Sequence, residues 1–116
     1  MNYTGTRGKY AISSSEAIAR GIAADGGLFV PESFPALSEN EIQMLVDMDY
    51  CGRAKFVLSK YLTDFTEAEL DDCVKGAYCG TFDNDEPAPL REVDGKTFLL
   101  DPKAVLPLSH HLFEQQ

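Results

Sequence analysis

The sequence predicts an α+β fold, a small helical domain of about four helices packed with short strands and a β-hairpin. Three observations predict it. Serine or threonine followed three places later by glutamate recurs at helix-opening positions, a pairing that satisfies two otherwise unbonded N–H groups at a helix start. Apolar residues then return at three-and-four spacing, which lines one face of a helix. Beyond Gly80 the period changes to two extended runs around Asp94-Gly95, a dipeptide typical of hairpin turns.

The elements follow in chain order. Lys9-Tyr10-Ala11-Ile12 is a short strand candidate, and Ser13 with Glu16 forms the first capping box. Ala17, Ile18, Gly21 and Ile22 give that helix a narrow apolar stripe, which Asp25-Gly26-Gly27 is expected to stop, since paired glycines take positive φ readily. Leu28-Phe29-Val30-Pro31 is extended because Pro31 pushes its predecessor out of helical geometry. Three more helices follow, two of them opened by Ser38 with Glu41 and by Thr66 with Glu69. Ile42, Leu45 and Val46 make a short buried face; Ala54, Val57, Leu58, Tyr61 and Leu62 make a longer one. In the last helix Leu70, Cys73, Val74, Ala77 and Tyr78 face inward, with Glu67, Asp71, Asp72 and Lys75 outside. Thr81 to Pro87 reads as a solvated loop leading into the hairpin Ala88–Val93 and Lys96–Leu100, which a type I′ turn at Asp94-Gly95 would close. Residues 1–100 form the domain and residues 101–116 a divergent tail, with a short helix around His110 to Gln115 and a disordered end as its two readings.

At 116 residues the chain fits one domain, a size that buries roughly two-thirds of the surface its unfolded form exposes. A formal charge of −9, from 19 acidic and 10 basic side chains, repels phosphate backbones and anionic lipid, so nucleic acid and membrane surfaces are excluded as expected partners. No run approaches the eighteen or so apolar residues of a membrane span, and Met1-Asn2-Tyr3-Thr4-Gly5 has neither the basic nor the apolar segment of a signal peptide. The expected location is cytoplasmic. Cys51, Cys73 and Cys79 are odd in number and lack the close pairing of a zinc site, so they read as buried, reduced thiols.

Few groups offer chemistry. Glu67, Glu69, Asp71 and Asp72 point around their helix and do not converge on one atom. His110 and His111 are adjacent in the tail, and adjacent side chains diverge unless the backbone is specially bent. No catalytic, cofactor-binding or metal-binding residue is assigned. The segment Thr4-Gly5-Thr6-Arg7-Gly8 brings hydroxyls, mobile backbone and a guanidinium together, good material for holding a carboxylate or phosphate, and equally the look of an ordinary glycine-rich loop. Asp25 to Pro31 contains no basic group and reads as a structural turn.

Tyr3-Thr4-Gly5-Thr6-Arg7-Gly8, the capped helix Ser14-Glu16-Ala17-Ile18-Arg20-Gly21 and then Asp25-Gly26-Gly27-Leu28-Phe29-Val30-Pro31 together resemble the opening of threonine synthase. The resemblance continues through Arg53–Leu62, Glu67–Tyr78 and the hairpin, so it covers roughly residues 3–100. It implies the small amino-terminal domain of a fold-type II pyridoxal-phosphate enzyme that converts O-phospho-L-homoserine and water to L-threonine and phosphate. Two larger domains of that family hold the cofactor. There the hairpin leads into Glu-Leu-Phe-His-Gly-Pro-Thr and then Phe-Lys-Asp, whose lysine binds the cofactor; here the chain reads Leu99-Leu100-Asp101-Pro102-Lys103-Ala104.

Lys103 therefore does not inherit the lysine's role, and this chain is expected to hold no cofactor, pyridoxal phosphate belonging to the complete enzyme. The resemblance places Thr6, Arg7 and Gly8 as substrate-binding residues of that complete enzyme. The expected partners are the missing catalytic domains of the same enzyme, with self-association through an exposed apolar face as a further outcome. The chain alone is expected to be inactive. The alternative is a stand-alone interaction module that keeps the fold and binds a partner protein through the same face. An autonomous enzyme built on Lys103 or the histidine pair would lack a phosphate cradle and a convergent site.

Overall fold

In a computed structural model the described residues are 1–78 and 90–100. The expectations for Cys79, the loop 81–87, the start of the hairpin, Lys103, the histidine pair and the tail fall outside them. Among the described residues two small antiparallel sheets and four helices make up the fold, in agreement with the α+β reading.

The first sheet pairs β1 (Tyr3–Gly5) with β2 (Phe29–Pro31), Tyr3 opposite Pro31 and Gly5 opposite Phe29. The strand expected at Lys9–Ile12 is a single bridge, Ile12 to Tyr3. Tyr3 exchanges both backbone hydrogen bonds with Ile12, at 2.9 and 3.2 Å, on the edge of β1 opposite to β2, and the pairing does not extend further.

Helix α1 (Ser14–Arg20) starts where Ser13, in extended conformation, accepts the Glu16 N–H at 3.2 Å. It stops at Gly21, earlier than the Asp25 turn expected from sequence. Gly21 has φ +69° and donates its N–H to the Ala17 carbonyl at 3.0 Å, a conformation a side chain would strain. Ala17 is buried on the inner face, while Ile22, expected to share it, lies beyond the helix end and is exposed. Ile22 instead bridges to Leu28 across the Asp25 turn.

Helix α2 (Glu39–Val46) has both halves of its capping box, with the Ser38 N–H donating to Glu41 at 2.8 Å and the Glu41 N–H to Ser38 at 3.3 Å. At its far end Arg53 donates Nε to the Leu45 carbonyl at 2.8 Å and Nη2 to the Val46 carbonyl at 3.0 Å. That bidentate cap satisfies two of the last carbonyls and places a cation at the negative end of the helix dipole. The expected inner face of α2 is only partly covered: Leu45 is half-buried, but Ile42 is 51% exposed and Val46 59%.

Helix α3 (Tyr50–Tyr61) is capped by Asp49, which accepts the Gly52 N–H at 2.7 Å. Helix α4 (Glu67–Tyr78) carries the Thr66–Glu69 box, the Thr66 N–H to Glu69 at 2.7 Å and the reverse at 3.3 Å. The core centres on α4. Leu70, Cys73, Val74 and Ala77 are buried, Leu62 joins them from the end of α3, and Ile18, Leu58, Tyr61 and Phe65 close around. Leu70 is 2% exposed, and burying a side chain of that size contributes about 2 kcal/mol. Val57, expected inside, lies on the outer side of α3.

The hairpin pairs β3 (Leu90–Asp94) with β4 (Thr97–Leu100), with an irregularity between Glu92 and Asp94. Its turn is not type I′, because neither Asp94 nor Gly95 has positive φ. Asp94 and Thr97 face each other, and the Asp94 carboxylate accepts the Lys96 and Thr97 N–H groups, both at 3.0 Å. The side chain closes the turn that backbone geometry was expected to close.

Candidate functional site

The Thr6-Arg7-Gly8 segment leaves β1 and packs on the Asp25-Gly26-Gly27 turn, so the two glycine-bearing segments form one cluster. The turn is built first by backbone: the Gly26 N–H donates to the Ala23 carbonyl and the Ala23 N–H to the Gly27 carbonyl, both at 2.9 Å. The Asp25 carboxylate then accepts the Gly27 N–H at 2.9 Å, an aspartate turn. Thr6 seats the loop on it, donating its N–H to the Leu28 carbonyl and accepting the Leu28 N–H on Oγ1, both at 2.9 Å. Its hydroxyl oxygen is thus held by backbone.

Glycine is required at this junction for space. A Cβ on Gly27 would lie 3.0 Å from Thr6 Oγ1 and 3.1 Å from the Arg7 nitrogen; one on Gly8 would lie 2.7 Å from the Asp25 carboxylate. Arg7 extends over Gly26, donating Nη1 to the Asp25 carbonyl at 3.3 Å, and is exposed. Tyr10 underlies the loop, its ring edge-on to Phe29 at 6.0 Å. Partial desolvation and a hydrogen bond with Asp25 raise its phenol above the ordinary value. The arrangement presents a guanidinium on a glycine-lined surface, suited to an anionic group. It contains no nucleophile paired with a base.

A second polar cluster ties α1 to the link between α3 and α4. The Asp64 carboxylate accepts the Ser15 N–H at 2.9 Å and the hydroxyls of Ser14 and Ser15, at the positive end of α1. Desolvation acts against the charged form, but the serine hydrogen bonds outweigh it and hold the Asp64 carboxyl well below the usual range. Ser14, though polar, is buried because this bond satisfies it. Between α3 and α4 lies an open groove of about 630 Å³ with Met48, Phe56, Phe65 and Leu70 as its apolar lining.

The described lysines are mostly engaged as cations. Lys60 lies 2.7 Å from Glu41, and this bond, with those from Ser38, lowers the Glu41 carboxyl to about 2. Lys55 pairs with Glu67 at 3.1 Å and Asp71 at 3.5 Å, and its hydrogen bond with Glu67 raises its pKa. Cys73 is 1% exposed and desolvation raises its thiol, the state of an unreactive core cysteine. Cys51 is half-buried. Among the described residues no group of three histidine, cysteine or acidic side chains could hold a metal, and no helix is long and apolar enough to cross a membrane.

Fold and site together define a small α+β domain with an exposed guanidinium on a glycine-lined loop. The family described as "Threonine synthase N terminus" matches residues 2–78, and the chain belongs to it. Among curated relatives it is 39% identical over 90 residues to Threonine synthase-like 1 of Mus musculus, covering 75% of this chain and 12% of the relative. To the threonine synthase of Pseudomonas aeruginosa it is 32% identical over 103 residues, covering 87% of this chain and 22% of that protein. The crystal structure of PLP-bound threonine synthase from Brucella melitensis superposes with a TM-score of 0.81 at 28% identity, over 99% of this chain and 27% of that one. This short chain thus covers only the amino-terminal region of its threonine synthase homologues.

Among the described residues, no lysine, phosphate cradle and ring-nitrogen partner come together that would suit the pyridoxal phosphate of the Brucella protein. It needs a lysine with a reactive neutral amine, a phosphate cradle and a partner for the ring nitrogen. Among the described lysines, Lys55, Lys60 and Lys75 are engaged in ion pairs with acidic side chains, and Lys9 is exposed beside the Thr6–Gly8 loop.

Of the residues singled out from sequence, Thr6, Arg7 and Gly8 come together on one surface. Asp25, Gly26, Gly27 and Tyr10 belong to the same cluster and were missed as such. The signal was present in Asp25-Gly26-Gly27, whose paired glycines serve close approach as well as turning. The Asp64 cap had no local signal, since its serine partners lie about fifty residues earlier in the chain.

Proposed function

We propose that the chain is the amino-terminal part of a cytoplasmic threonine synthase, acting on O-phospho-L-homoserine only together with the catalytic domains of that enzyme. The observation that carries this reading is the pairing of a near-complete overlay on this chain with a minor share of the PLP-bound Brucella enzyme. On this reading the chain is inactive alone and binds no cofactor of its own. Its partners are the catalytic domains, which cover apolar surface left open here, the α3–α4 groove and the Ile42–Val46 side of α2.

The Thr6–Gly8 loop then forms part of the wall of the substrate cleft. Arg7 binds the phosphate or carboxylate of the substrate, Thr6 fixes the loop through Leu28, and Gly8 leaves room for the Asp25 carboxylate and Tyr10. Replacing the arginine matched to Arg7 by alanine in a complete homologue tests this. The expected result is a rise in KM for O-phospho-L-homoserine of tenfold or more, the loss of one charge-assisted contact. Unchanged steady-state constants would remove Arg7 from the site.

A further inference from the structure

The Asp25-Gly26-Gly27 turn, read from sequence as purely structural, lies directly under the one guanidinium of the candidate site. Three features bear on Arg7. Its Nη1 is engaged by the Asp25 carbonyl at 3.3 Å. Gly26, at φ +78°, is the residue it crosses, and a Cβ there would stand 3.1 Å from that same Nη1. Its own backbone nitrogen lies 3.1 Å from where a Gly27 Cβ would be, so the loop packs closely on the turn beside the side chain. Among the described residues Arg7 forms no ion pair, and the nearby Asp25 carboxylate accepts the Gly27 N–H at 2.9 Å.

A guanidinium binds an oxyanion best through two parallel N–H groups. Holding Nη1 on a carbonyl leaves the Nε–Nη2 edge as the fork. We infer that the Asp25-Gly26-Gly27 turn is the positioning element of Arg7, fixing the guanidinium by its Nη1 end so that the Nε–Nη2 edge takes one phosphate or carboxylate group. This rests on the proposed role of Arg7 as an anion-binding residue. It assigns to the turn a part in specificity: an anion presented to the fork is gripped in one orientation, whereas a free arginine would follow it about.

The test uses the 116-residue chain and nitrogen-15 NMR of the arginine side chains, titrated separately with inorganic phosphate and with acetate. In the unaltered chain the Arg7 Nε–H signal is expected to shift and saturate with one or both anions, while Arg53, whose guanidinium caps α2, stays still. Gly26→Ala displaces the guanidinium and is expected to weaken that binding at least tenfold with the backbone signals of α4 unchanged. Arg7→Lys, followed by the backbone amide signals of residues 6–8 in place of the lost Nε–H, keeps the charge without the fork and is expected to lose as much. If the unaltered chain shows no saturable shift, the anion-binding reading of Arg7 falls and the positioning role with it. If it saturates but Gly26→Ala binds equally well, the anion site stands and the turn does not position it. Equal binding by Arg7→Lys would overturn the fork.

Discussion

Asp64 shows how one side chain can hold two parts of this fold together. Its carboxylate satisfies a free N–H and two hydroxyls at the start of α1 while sitting on the link between α3 and α4. Asp64→Ala is expected to lower the unfolding free energy by about 1 kcal/mol, the size of an ordinary helix cap. Solvent exposure keeps the effect from being larger. Because the folded-state pKa lies below the unfolded value, the contribution is complete above about pH 4 and is lost as pH falls toward the folded value. Denaturant titrations of both proteins at pH 7 and pH 3 check this, the gap between them narrowing at the lower pH. At the same scale the sequence made Thr6-Arg7-Gly8 visible through residue type. It concealed Asp64, because a cap supplied from fifty residues away leaves no local pattern.

At the scale of elements, helix starts were legible and helix ends were not. Ser13, Ser38 and Thr66 act as caps where the serine or threonine with glutamate pattern placed them, since that bond is local and its spacing is written in sequence. The end of α1 is set instead by φ at Gly21, and nothing in the sequence distinguished Gly21 from Gly26 or Gly27 as the stop. The hairpin was found, but its turn chemistry was misassigned because Asp94 closes it with its carboxylate. For α2 the periodic pattern was real, yet a stripe says that a face wants cover and not that the same chain supplies it. The energetics should separate accordingly. Leu70→Ala in the α4 core is expected to cost about 3 kcal/mol, whereas Ile42→Ala on exposed α2 should fall within about 0.5 kcal/mol. Chemical denaturation of the two variants compares them directly; an equal loss would mean that α2 is covered in the isolated chain.

For the whole molecule, family membership accounts for both what is present and what is uncovered. The domain has a core of its own around α4 but leaves apolar residues exposed on α2 and on the hairpin, at Leu90, Val93 and Phe98. A two-stranded hairpin with exposed apolar side chains is marginal by itself. The chain spans 12% and 22% of its Mus musculus and Pseudomonas aeruginosa relatives, the share on which the proposed role rests. The most direct test removes the region matched to residues 2–78 from a complete threonine synthase and measures phosphate release from O-phospho-L-homoserine, with pyridoxal phosphate supplied throughout. The 116-residue chain alone is predicted to release none, the shortened enzyme little, and the two together substantially more than their sum. Phosphate release by the chain alone, or a shortened enzyme that is fully active and indifferent to the added chain, would contradict the account.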